Sequence, residues 1–327
     1  MVWQWLIRGW LVGAAKQELY ARAEEMLRDQ LQRQQAGATA AQGSLPPPCD
    51  VGLVFSAAAE AAGLTDRLSH PLRVQGDGLE VTLGRLAEAH VALLSAGPGA
   101  GNAARGAEAL LLGHRPGIVI AAGFADALAP ALKRGHVVLA SHVVASRADT
   151  PARPTDSAGS GAADPAAVVE FPTALAGMGT TIATRPGVHV GRVLTLAGKL
   201  PGRDQRDALG RRLGVLAAES SARGVAETCQ RSNVPFLAVH VIRHGLDQEM
   251  SPELRHFKRQ KSLAGKLGAA LGAVTKRPST VKEMWQSAED ALVAGDRLAE
   301  VLAELIDLLP PGVGHVSERA RQSNPPQ

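Results

Sequence analysis

LLSAGPGAGNAARGAEALL, residues 93–111, joins an apolar run ending at Ser95 to a turn made of Gly97, Pro98, Gly99, Ala100 and Gly101, and then to a helical pattern starting near Asn102. An apolar strand that turns on small residues straight into a helix is the unit from which layered α/β sheets are built. Backbone amides gathered at such a helix start form a pocket for an anion or a polarised water, and glycine lets a ligand approach closely. The turn is not a P-loop, which requires Gly-Lys-Ser/Thr. It also lacks the third glycine and the downstream acid of a dinucleotide fingerprint.

The same unit recurs on either side. In DVGLVFSAAAEAAGL, residues 50–64, a buried strand over 51–55 feeds a helix. In IVIAAGFADALAP, residues 118–130, another strand ends at a second small-residue turn, Gly123 and Phe124. Apolar β-type runs are predicted at 80–83, 91–95, 118–121, 136–140, 188–194 and 236–242, with helices over 103–112, 204–213 and 279–309. This alternation predicts an α/β layered sheet, and the two glycine turns are expected to face one crevice at strand carboxyl ends. Nothing repeats at a fixed period, which excludes a solenoid.

Composition sets further limits. A chain of 327 residues with 45% hydrophobic and 20% charged residues can bury a large core and is not a disordered or fibrous protein. Two cysteines, Cys49 and Cys229, make neither a disulfide framework nor a four-ligand zinc site, so the expected compartment is reducing and cytoplasmic. A net charge of +4 spread over this length is a weak polyanion signal, and with only 3% aromatics to stack on bases, no nucleic-acid partner is expected. The one dense basic patch is Arg255, Lys258, Arg259, Lys261 and Lys266. No histidine, cysteine or carboxylate pattern has metal-ligand spacing, so no metal and no cofactor are expected; His114, His136, His142, His189 and His240 are read as structural. No G-x-S-x-G elbow is present, which disfavours serine-nucleophile chemistry.

The ends differ from the middle. MVWQWLIRGWLVGAA, residues 1–15, holds three of the four tryptophans but is too short, and too interrupted by Arg8, to span a bilayer of roughly 20 apolar residues' thickness. The alternatives for it are peripheral contact with a membrane interface, at the inner face, or docking on its own domain or a partner subunit. Residues 16–35 form an amphipathic helix pattern that a Pro-rich spacer ends at Pro46, Pro47 and Pro48. The expected organisation is a Trp-rich helical extension over 1–48, a main domain over 49–310 with a long loop over 145–172, and a flexible tail over 311–327.

Five motifs in order carry a family resemblance: VGLVFSAAAEAAGL with Glu60, SAGPGAGNAA, AAGFADAL followed by LKRGHVV, GVLAAESSARGVAETC, read as one helix, followed by NVPFLAVHVI, and RHGLDQEMSP. Over residues 51–310 the chain resembles the nucleoside phosphorylase and nucleosidase superfamily, most closely its bacterial methylthioadenosine/S-adenosylhomocysteine nucleosidase branch. The resemblance implies a three-layer α/β/α domain with a mixed twisted sheet, a homodimer, a purine nucleoside as ligand, and water or phosphate as nucleophile. Glu60 matches the glutamate that serves the water, the turn from Gly97 to Gly101 and Gly123 match the nucleophile-binding loops, and Gly97, Gly99, Gly123, Phe124, Ser220 and Ser221 are expected to line the nucleoside crevice.

Breaking a purine N-glycosidic bond develops positive charge on the ribose and negative charge on the departing base. The site therefore needs a proton donor at the base and an anchor for the ribose hydroxyls, and at both places the sequence departs from the family. The Met-Glu pair that grips the ribose aligns with Ser220 and Ser221, and Glu219 takes its place only if the register slips by two residues. The Ser-Asp pair after the final strand aligns with Arg243 and His244. A positioned general acid contributes about 10²–10⁴-fold in rate, so two readings follow. In one, His244 is a replacement acid in a rebuilt nucleosidase site. In the other, the protein keeps the fold as a non-catalytic or membrane-associated scaffold.

Overall fold

The computed structural model describes residues 48–76, 78–146, 168–177, 181–196, 202–247 and 279–309. The predicted extension before Pro48, the basic patch at 255–266, the tail after residue 310 and the middle of the long loop, 147–167, lie outside the described residues.

Among the described residues, ten strands form one sheet. In chain order the elements are β1 (Val51–Phe55), α1 (Ala58–Thr65), β2 (Ser69–Gly76), β3 (Leu79–Leu86), β4 (Ala89–Ser95), α2 (Ala100–Gly113), β5 (Ile118–Ala127), β6 (Val137–Ser146), β7 (Val168–Pro172), β8 (Val188–Thr195), α3 (Arg203–Leu213), β9 (Val215–Glu219), α4 (Ala222–Arg231), β10 (Phe236–His244) and α5 (Ser279–Asp307). Strands β1, β4, β5 and β10 are parallel and carry near-continuous apolar runs, as strands covered on both faces must. One face of the sheet packs on α2 and α4 through Ala103, Ala107, Leu110, Ala222, Val225 and Cys229. The other packs on α1 and α5 through Ala61, Leu64, Leu298, Leu302 and Leu305. This is the expected three-layer α/β/α arrangement with a mixed sheet.

The sheet does more than layer. Its order is β10-β6-β8-β9-β5-β1-β4-β3-β2, and β10 also pairs with β5, so β5, β9, β8, β6 and β10 close into a ring. Strand β5 lies in that ring and is longer than the predicted 118–121: it runs through Gly123 and Phe124 to Ala127, so the second turn expected at those residues is strand, paired there with His240 and Val241 of β10. Its first half pairs with β1 up to Ala121, and at Asp126 the same edge takes up β9. Between them, over 122–125, that edge has no strand partner among the described residues, and the backbone donors there need other acceptors.

Three sequence expectations change. The fourth motif, read as one helix, is strand β9 followed by helix α4; VLAAE alone is a short apolar run whose period cannot separate helix from strand, and the chain turns at Ser220. Strand β2 was not predicted because all its residues are exposed and its apolar content is low. The ends of the predicted loop are also strand: β6 runs to Ser146 and β7 occupies Val168–Pro172, paired to it.

Candidate active site

The carboxyl ends of β1, β4, β5 and β10 lie together; the turns after β1 and β4 and the last residues of β5 and β10 themselves carry the polar groups. Phe55 and Ser95 are register partners, and Ala96 N–H donates to the Phe55 carbonyl at 2.8 Å, so the Ser56 turn lies beside the Gly97 turn. Gly97 and Gly99 have φ of 92° and 97°, values that favour glycine, and Asn102 ties the turn by donating from Nδ2 to the Pro98 carbonyl at 2.8 Å. A side chain added at Gly99 or Gly101 would meet nothing within 4 Å, so the turn borders open space.

Glu60 sits one helical turn into α1 and is only 6% exposed. Its Oε2 accepts the N–H groups of Ser56 at 2.9 Å and Ala57 at 3.0 Å, and its Oε1 accepts the N–H of Phe124 at 3.0 Å. The carboxylate thus fills the unpaired edge of β5, which requires Gly123: a Cβ there would lie 3.0 Å from Oε2 and 3.1 Å from Oε1. Burial pushes the Glu60 pKa above its ordinary value of 4.5, against the pull of the three N–H donors, and the nearby Glu219 charge acts in the same upward direction. A buried, oriented carboxylate with raised proton affinity is suited to take a proton from water.

Strand β10 supplies the other side. His244 and Asp126 are register partners across β10 and β5, and Asp126 Oδ1 lies 2.5 Å from His244 Nδ1. Because a carboxylate only accepts, Nδ1 carries the proton in this bond. The Arg243 guanidinium lies 5.5 Å over the Phe124 ring, a cation–π contact. Burial lowers its pKa, and the charges of Asp126, Glu60 and Asp290 oppose that shift.

The Phosphorylase superfamily model matches residues 50–275, more than half of the sequence. The chain belongs to this superfamily. A 5'-methylthioadenosine/S-adenosylhomocysteine nucleosidase of Haemophilus influenzae (strain PittGG) is 29% identical over 210 residues, covering 63% of this chain and 91% of its own. The solved nucleosidase of S. pneumoniae with the transition-state inhibitor MT-ImmA matches with a TM-score of 0.57 at 18% identity, over 80% of this chain and 100% of that one. The Neisseria meningitidis nucleosidase in complex with methylthio-immucillin-A matches with a TM-score of 0.56 at 17% identity, over 80% and 99%. At such identities the structures show a shared fold.

Within this phosphorylase-superfamily domain the predicted residues fall into two groups. Glu60, Gly123 and Phe124 meet directly, and Gly97 and Gly99 lie on the neighbouring turn. Ser220 is exposed, whereas Ser221 is buried and its hydroxyl donates to Glu219 Oε2 at 3.0 Å. Glu219 is engaged on both oxygens. Oε2 also accepts the N–H groups of Ser221 at 2.5 Å and Ala222 at 2.9 Å, Oε1 accepts the Thr195 hydroxyl, and His240 Nε2 lies 3.6 Å from Oε2. The Glu219 side chain is 1% exposed, and its carboxylate is sealed against the N–H groups at the start of α4.

Sequence reasoning missed Asp126. Its only signal is its position, two residues after Phe124 in the strand-end motif, and its partner lies 118 residues away. The remaining candidates recede. Cys49 and Cys229 are buried thiols pushed up to about 12, which keeps them protonated and unreactive. His136 and His189 stack on each other, with Nδ1 and Nε2 2.9 Å apart. Among the described residues, no three His, Cys, Asp or Glu side chains gather as a metal site, and no helix is long and apolar enough to cross a membrane.

Proposed function

We propose that this protein is a nucleosidase-type enzyme that takes a purine nucleoside of the methylthioadenosine or adenosylhomocysteine class and hydrolyses its N-glycosidic bond. The observation that carries this reading is the Glu60 carboxylate, buried at the edge of β5 and held by three backbone N–H groups from two elements. It takes a proton from the water that attacks the ribose carbon as the bond to the base breaks. Gly97 and Gly99 let substrate come close to the backbone, and Phe124 offers the base an apolar surface. His244, at the end of β10, is the proton donor toward the base, in place of the family's aspartate.

The missing ribose carboxylate has a cost. A hydrogen bond to a charged group is worth about 1.5–3 kcal/mol, so an anchor lost at Ser221 weakens nucleoside binding by roughly 10- to 150-fold. That observation also favours a second reading, a nucleoside-binding protein that does not turn its ligand over. Calorimetric titration of the full chain with adenine, methylthioadenosine and adenosylhomocysteine, with base release measured in the same samples, separates them. Binding with release supports hydrolysis, binding without release supports the second reading, and absence of binding contradicts both.

A further inference from the structure

The pairing of Asp126 with His244 deepens the nucleosidase reading and rests on it. Asp126 lies two residues beyond Phe124 on β5 and faces His244 in register. The two side chains are 30% and 19% exposed, in contrast to the sealed carboxylate of Glu219, so the pair borders accessible space at the strand ends. Two residues of strand span about 7 Å, which sets the pair roughly that far along β5 from the Phe124 N–H that holds Glu60.

We infer that Asp126 is a positioning residue for His244, and that the pair delivers a proton to the departing base. By accepting from Nδ1, Asp126 fixes the ring and leaves Nε2, the nitrogen turned away from it, as the donor. The step balances without any co-reactant but water. Water adds to the ribose carbon and gives a proton to Glu60; the electron pair of the breaking C–N bond moves onto the base; the Nε2 proton of the imidazolium passes to a purine ring nitrogen. Free base and free sugar leave, and Glu60 and His244 return to their starting protonation states through solvent.

The test uses the full chain, with methylthioadenosine and with 4-nitrophenyl ribofuranoside, whose leaving group departs without a proton. On methylthioadenosine, His244→Ala is expected to lower kcat by about 10²–10⁴-fold and Asp126→Asn by roughly 10-fold or more, with KM held within about 3-fold. On the nitrophenyl riboside both variants stay within about 3-fold of the parent, and Asp126→Glu recovers part of the loss on methylthioadenosine. Equal losses on both substrates, or an Asp126→Asn that behaves as the parent, overturn the inference while leaving the nucleosidase reading in place. If the riboside is not a substrate, the kcat-against-KM split and the Asp126→Glu recovery decide. A parent protein that releases no adenine brings down the nucleosidase reading and the inference with it.

Discussion

Replacing Gly123 with alanine tests the seat of Glu60 more sharply than removing the glutamate does. The new Cβ would stand 3.0–3.1 Å from Oε2, Cδ and Oε1, against an ordinary contact that begins at 3.4 Å. The carboxylate must therefore retreat by about 0.3–0.4 Å, which takes the 3.0 Å bond from Phe124 N–H to the outer limit of useful geometry. A hydrogen bond to a charged group is worth about 1.5–3 kcal/mol, and glycine to alanine in a strand returns about 0.5–1 kcal/mol, so the net loss is roughly 1–2 kcal/mol. For a domain of this size that lowers the melting temperature by about 2–8 °C. Displacement of a catalytic group by 1 Å costs about 10²-fold, and a third of that distance predicts a fall in kcat of roughly 4- to 6-fold. Thermal unfolding and adenine release, measured on Gly123→Ala in the parent and in a Glu60→Ala background, check this. With the carboxylate gone, the alanine should be neutral or slightly stabilising. A variant that melts within about 1 °C of the parent and keeps its kcat would refute the reasoning.

Three further outcomes follow from other groups. Glu219→Ala leaves the Ser221 and Ala222 N–H groups and the Thr195 hydroxyl without their buried acceptor, and is expected to destabilise by about 3 kcal/mol or more in denaturant unfolding; a cost below about 1 kcal/mol would contradict the capping role. Burial lowers the His240 pKa below its ordinary 6.5, although Glu219 pulls it upward. The stability it contributes is therefore fully present above pH 6.5 and lost as pH falls through the folded value, so His240→Met should flatten part of the acid limb of a melting-temperature profile. Because the Glu60 pKa is raised, its ionised, proton-accepting form is reached above pH 4.5, and the acid limb of kcat/KM should lie above that value; a limb at or below it would argue against Glu60 as the base.

The parallel core was legible in the sequence because buried strands such as VGLVF and IVIAA are nearly pure apolar runs bounded by small-residue turns. Strand β2 was not, since an exposed edge strand carries little hydrophobic patterning, and β9 was absorbed into the helix that follows it. The site divided in the same way. Glu60 and the glycine turns could be placed because each lies within a few residues of a strand end. The ring closure through β10 and β5, the gap between β1 and β9 on the other edge of β5 beside Gly123, and the partnership of Asp126 with His244 depend on pairings across the whole chain. Glu219 shows the converse: its sequence position made it a candidate ribose anchor, but the N–H groups at the start of α4 take up its oxygens.

The central claim is that Glu60 activates water in a working nucleosidase site, and a paired measurement on the full chain tests it most directly. Adenine release from methylthioadenosine is followed for the parent and for Glu60→Gln, with methylthioadenosine binding measured calorimetrically in both. The account predicts measurable release by the parent, a loss of at least about 10²-fold in kcat for the variant, and binding retained within about 10-fold. Binding without release by the parent, or release unchanged in Glu60→Gln, would contradict it.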